Sequence, residues 1–208
     1  MSTDHDHHHP HPKQPDLEDQ PFEYYQVMAE AVGELLIGKN IFSAADLRKT
    51  IETIDTRSPV DGAKVVARAW VDPVFKQKLL VDANAAANEL GIDVGFIPIR
   101  AVENTETLHN VICCTLCSCY PRLLLGLPPD WYKARAYRSR VVREPRAVLR
   151  EFGTVIPDHI EVKVHDSTAD LRYMVLPLQP AGTENMKETE LAALVTRDSM
   201  IGTAMVEL

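Results

Sequence analysis

All four cysteines of this 208-residue chain fall at positions 113, 114, 117 and 119, inside the single stretch HNVICCTLCSCYPR at residues 109–122. Thiols this crowded do not resemble a disulfide framework, and in a reducing compartment such clusters carry metal or redox chemistry. A zinc ribbon or finger needs a second pair of ligands to close its tetrahedron. No second Cys-x-x-Cys follows Cys114 and Cys117, and His159 and His165 are remote in sequence. A thioredoxin-like pair would leave Cys119 unexplained and Pro121 badly placed. An iron–sulfur cluster draws its ligands, commonly four, from a longer loop.

Spacing narrows the choice. Three sulfurs from Cys114, Cys117 and Cys119 must come from one tight loop, and only Ser118 separates the last two. The backbone nitrogens of Ser118 and Cys119 then lie between the two side chains. A trivalent metal takes two sulfurs and two deprotonated amides in a plane, with Cys114 as a third sulfur from below. One octahedral position stays open, as a catalytic metal requires. Zinc gains nothing from amide nitrogens, because four ligands already satisfy it. If NVICC runs as a strand, Cys113 points to the face opposite Cys114 and serves as a small buried hydrophobe.

The rest of the chain has the texture of a soluble globular protein, 45% hydrophobic and 25% charged. A net charge of −8 argues against nucleic acid as a partner. No apolar run reaches the ~20 residues of a membrane helix, and no signal-peptide core opens the sequence, so the expected location is cytoplasmic. Residues 1–20 carry five of the eight histidines, His5, His7, His8, His9 and His11, in a polar, aperiodic segment. That segment reads as a disordered tail, either collecting metal or simply solvated.

Helical periodicity begins at Phe22 and runs to about Ile37, and SAADLRKTIETI starts a second helix at Ser43. DGAKVVARAWVDP predicts a third, and VFKQKLLVDANAAANELG one or two more, closed by Gly91. After Gly91 the pattern changes. FIPIRAVEN, LHNVIC, IEVKVHDS and LRYMVLPL read as strands, SRVVREPRAVLREFG as helix with a break or new first turn at Pro145, and KETELAALVTRDS as a last helix. With no regular βα repeat, the expected fold is α+β: a layered α/β/β/α globular domain over 58–208 that binds metal and carries catalysis, preceded by a helical arm over 21–57.

CTLCSCYP, followed by LGLPPDWYK, YRSRVVREPRAVLREFG and LAALVTRDSMIG, resembles the α subunit of nitrile hydratase from about Asp61 to Gly202, with a weaker echo in the N-terminal helices. The metal-bearing subunit of thiocyanate hydrolase shares the same claw. The resemblance implies a low-spin Co(III) or Fe(III) held by the thiolates of Cys114, Cys117 and Cys119 and the amides of Ser118 and Cys119, with no organic cofactor. It implies oxidation of Cys117 to sulfinic acid and Cys119 to sulfenic acid, and Thr115 matches the cobalt form, where the iron form has Ser. The metal then polarises a small nitrile for attack by water or by the Cys119 sulfenate oxygen, giving the amide. A β-type partner, whose arginines hydrogen-bond the oxidised sulfurs, is implied, and so is a metal-delivering activator; buried anionic sulfurs need such donors.

Asp166 and Asp170 align with an acidic pair behind the family's site, or sit in a solvated turn. Tyr120, Arg122 and Trp131 are the expected pocket residues. Arg122 replaces a usual tryptophan, as in thiocyanate hydrolase, unless it caps a helix end or pairs across an interface. Trp131 lines the pocket or an interface, or is buried by a rigid turn. His165 and Gln179 replace a usual tryptophan and arginine, and the glutamine-glycine before VENT is missing. Those departures suggest a pocket for something larger, more polar or anionic than simple nitriles. Thiocyanate hydrolysis and a non-catalytic metal carrier are the competing functions.

Overall fold

The computed structural model describes residues 24–117 and 119–208. The histidine-rich start and Ser118 lie outside the described residues. The chain divides into two compact units, the first ending at Lys49 and the second running from Thr50 to Leu208.

In the first unit, α1 (Tyr24–Gly38) buries none of its residues. Of the apolar stripe expected from periodicity, Tyr25, Met28, Ala29, Val32 and Leu35 are exposed and Leu36 is half-buried. α2 (Ala44–Asp55) starts on a reciprocal cap. The Asp46 N–H donates to Ser43 Oγ at 3.1 Å, and the Ser43 N–H donates to Asp46 Oδ2 at 3.0 Å. The Ser43 hydroxyl, donating to Asp46 Oδ2 at 2.6 Å, and then the Ser43 N–H hold the Asp46 carboxyl below the usual carboxylate range.

The second unit opens with α3 (Val60–Val71), which buries Gly62, Ala63, Val65, Val66, Ala67 and Ala69. A Cβ on Gly62 would sit 2.5 Å from Leu125 and 2.7 Å from Met200 Sδ, so a larger residue would have to push those side-chain ends aside. The run from Val74 to Glu89 forms two helices, α4 (Pro73–Val81) and α5 (Ala83–Glu89). Asp82 breaks it, with extended backbone and a carboxylate accepting from the Ala85 N–H at 3.0 Å.

Four strands follow: β1 (Ile99–Glu103), β2 (Leu108–Cys113), β3 (Glu161–Asp166) and β4 (Arg172–Leu176). They pair as two parallel ribbons, β1 with β4 and β2 with β3. Parallel pairing needs long crossovers, and the short helices α6 (Arg122–Leu125), α7 (Asp130–Lys133), α8 (Arg135–Arg140) and α9 (Pro145–Glu151) lie between β2 and β3. α4 and α5 pack on β1, α9 packs on β3, and β2 meets β4 where the ribbons join. The result is α+β, as expected.

KETELAALVTRDS is not one helix but two, α10 (Glu188–Leu194) and α11 (Arg197–Ile201). Val195 turns extended, and Thr196 caps α11 by accepting from the Ser199 N–H at 3.1 Å. Unbroken apolar spacing hid that cap. α11 ends at Gly202, φ 88°, where a Cβ would lie 2.0 Å from the Asn110 carbonyl oxygen. The end of α11 thus rests directly on β2, the strand that runs into the cysteines.

Candidate metal centre

β2 buries Cys113 completely in the core, and Cys114, the next residue, is buried just beyond the strand. Strand alternation ends there, and the chain turns. The Cys117 N–H donates to Cys114 Sγ at 3.3 Å, closing a turn that folds the thiols onto one centre. The Sγ atoms of Cys114 and Cys117 are 3.5 Å apart, those of Cys117 and Cys119 3.2 Å, and all three lie within 4.8 Å of one another. Cys117 is exposed and Cys119 half-buried, so the cluster opens on one side.

Neighbouring elements grip this loop. Both carboxylate oxygens of Asp166, at the end of β3, hold Thr115: one accepts its N–H at 2.9 Å, the other its hydroxyl at 2.6 Å. Arg138 donates to the Thr115 carbonyl at 3.1 Å from α8. The Tyr132 hydroxyl donates to the Cys119 carbonyl at 2.9 Å, and the Tyr137 hydroxyl to the Ile112 carbonyl at 2.7 Å. Burial pushes both phenols well above their ordinary range, so they remain donors.

Burial, then the charge of Asp166 and then Cys114, pushes the Cys113 thiol up to about 12. Cys119 is also pushed up, by burial first and then by its hydrogen bonds with Cys117 and Cys114, while the charge of Arg172 opposes the shift.

The remaining expected residues separate. Tyr120 and Arg122 line a cavity of about 400 Å³ whose wall includes Cys117 and Cys119. Trp131 instead lies in an aromatic cluster behind the loop, with ring centroids 4.9 Å from Tyr137 and 4.6 Å from Phe152. Asp170 is exposed in the turn between β3 and β4, away from the bonds that hold the loop. Two residues escaped the sequence reading: Arg138 and above all Arg172, which lines the cavity from the start of β4. An arginine opening a strand carries no sequence signal that separates it from a solvated one.

A loop that brings three thiols within 4.8 Å of one another beside a cavity, on an α+β scaffold, defines a class of proteins that could hold a metal ion there. The family model described as "Nitrile hydratase, alpha chain" matches residues 23–204. The chain is 49% identical over 178 residues to the low-molecular weight cobalt-containing nitrile hydratase subunit alpha of Rhodococcus rhodochrous, covering 85% of this chain and 86% of that one. A recombinant thiocyanate hydrolase comprising partially-modified cobalt centers superposes with a TM-score of 0.82 at 38% identity, over 90% of this chain and 92% of that one. An Fe-type nitrile hydratase from Comamonas testosteroni Ni1, a double mutant, superposes with a TM-score of 0.79 at 42% identity, over 88% and 90%. The chain belongs to the nitrile hydratase α-chain family.

Proposed function

We propose that this chain is the metal-bearing subunit of a heteromeric nitrile hydratase, adding water across a C≡N bond to give an amide. The observation that carries the reading is the trio of thiols at Cys114, Cys117 and Cys119 within 4.8 Å of one another. The donor set fits an ion that keeps an open position better than closed tetrahedral zinc. Among the described residues no fourth His, Cys, Asp or Glu joins the cluster, and both oxygens of Asp166 are engaged with Thr115.

Trivalent cobalt, with Cys114, Cys117 and Cys119 and the amide nitrogens of Ser118 and Cys119 as ligands, is the favoured occupant; the cobalt-containing relative and Thr115 support it over iron. When bound, the ion supplies Lewis acidity at the nitrile. The chain's own residues do the positioning. Asp166, Arg138 and Tyr132 fix the loop on both sides of Cys117, and Arg122 and Arg172 face the cavity beside it. Cys117 is proposed to be a sulfinic and Cys119 a sulfenic acid.

Oxidised sulfurs need hydrogen-bond donors, and a β-type partner is their proposed source. The arm at 21–57 is proposed to dock that partner, because the stripe of α1 is exposed. An activator that delivers the metal, and a cytoplasmic location, complete the proposal. No described helix is long and apolar enough to cross a membrane. Arg122 supports a second reading, thiocyanate hydrolysis.

Co-purification with the partner, metal analysis, intact mass and assays with benzonitrile and thiocyanate test these readings. The first expects one cobalt per chain, two oxygens added at Cys117 and one at Cys119, and benzamide as product. Zinc on unmodified thiols would refute it.

A further inference from the structure

Arg122 and Arg172 share the cavity wall with Cys117 and Cys119, and no aspartate or glutamate lines that cavity. Neither guanidinium has a carboxylate partner among the described residues. Arg172 Nη1 is buried without any hydrogen-bond partner. A guanidinium nitrogen removed from water and left unpaired is costly, and an anion arriving on the cavity side relieves that cost with a charge-assisted bond. Arg172 is also rigidly placed. It opens β4 opposite Ile99, with its N–H donating to the Pro98 carbonyl at 2.9 Å. Arg122 opens α6 on the other flank of the cysteine loop and is exposed. Apart from the Tyr120 phenol, whose hydroxyl is also buried without a hydrogen-bond partner, the other side chains of the wall are apolar and include the almost fully exposed ring of Phe96.

We propose that the cavity selects nitriles that carry a carboxylate on a flat apolar body, with Arg172 reading the carboxylate, Arg122 assisting, and Phe96 covering the body. The proposal rests on the hydration reading, because it places the C≡N group at Cys117 and Cys119. A volume of about 400 Å³ accommodates a substituted benzene ring. Arg172 acts here as a specificity residue. A neutral nitrile would leave its Nη1 unpaired, which is how a site built around a polar partner rejects an analogue lacking it.

The test uses the cobalt-loaded heteromer and two matched pairs. 3-Cyanobenzoate against benzonitrile reads turnover; benzoate against benzamide, titrated by calorimetry, reads binding without chemistry. The wild-type protein is expected to favour each carboxylate. In Arg172→Gln that preference falls by about 10- to 100-fold, the scale of a charge-assisted hydrogen bond, and the turnover change is carried by KM. Arg172→Lys restores part of it, and Arg122→Gln weakens it less. If Arg172→Gln does not assemble, the Arg172→Lys and Arg122→Gln series still decides.

Hydration of benzonitrile without any gain for 3-cyanobenzoate, or benzoate binding that ignores both arginines, overturns the proposal and leaves the reaction standing. Arginine-dependent benzoate binding with no hydration of either nitrile overturns the reaction instead. Turnover of thiocyanate alone, with both carboxylates excluded, also overturns the proposal.

Discussion

Cys113 and Cys114 are neighbours with opposite fates, because the strand ends between them. Cys113 is the last residue of β2 and fully buried in the core; Cys114 turns into the loop with Cys117 and Cys119. Cys114→Ser is expected to lose cobalt while Cys113→Val keeps it, with a stability change of about 1 kcal/mol from the altered volume. Metal analysis and thermal melts of the two variants check this, and the reverse pattern would shift the ligand register by one residue. Asp166 holds the loop by its two hydrogen bonds to Thr115. Asp166→Ala removes two hydrogen bonds from the loop, a loss of about 1–3 kcal/mol, and should speed cobalt loss to a chelator without changing the fold.

At the scale of elements, caps and glycines set where the helices stop. Thr196 separates α10 from α11, so Thr196→Ala should cost about 1 kcal/mol in urea unfolding. Gly202→Ala should cost considerably more, on the order of 3 kcal/mol. Its φ of 88° strains any L side chain, and the new Cβ would strike the Asn110 carbonyl. Equal effects would show that β2 and α11 are less tightly coupled than their contact implies. Helices and strands were largely legible because each carries one period and one stop: Ser43 and Asp46, Pro145 and Gly91 all act within a turn of themselves. The α10–α11 break was not legible, since Thr196 sits in an apolar run and its partner Ser199 reads as an ordinary helix residue.

Across the second unit, a buried polar chain ties β1, β2, β3 and α11 together. Asn104 Oδ1 accepts from the Asn110 N–H at 2.7 Å and from its amide at 3.0 Å, which turns the Asn104 amide nitrogen toward His109 Nδ1 at 3.3 Å. His109 therefore accepts at Nδ1 and donates from Nε2 to the Gly202 carbonyl at 2.8 Å, a neutral ring. His165 Nε2 lies 2.8 Å from Asn110 Oδ1, an acceptor because the Asn110 amide nitrogen is spent on Glu103 and Asn104. Burial depresses both histidines below 6.5, helped at His165 by Lys163 and Arg100. The unfolded chain then binds more protons than the folded one, so their contribution is complete above about pH 6.5 and is lost as pH falls through 6.5 toward the folded values. Urea midpoints should fall between pH 7 and pH 5, and the fall should shrink in a His109→Gln, His165→Gln double variant.

The cysteine spacing by itself determined that three thiols share one loop, because side chains three and two residues apart can converge only through the backbone that joins them. Hydrophobic period and capping, which are local, determined the α+β class. Only the tertiary structure decided what surrounds the loop. Asp166 and Arg172 lie far along the chain and arrive through parallel pairing of β3 with β2 and β4 with β1, and Trp131, which the LGLPPDWYK segment made a pocket candidate, is turned into an aromatic cluster behind it. Which cation faces a cavity and which faces water depends on strand register and burial, and neither is written in a neighbouring residue.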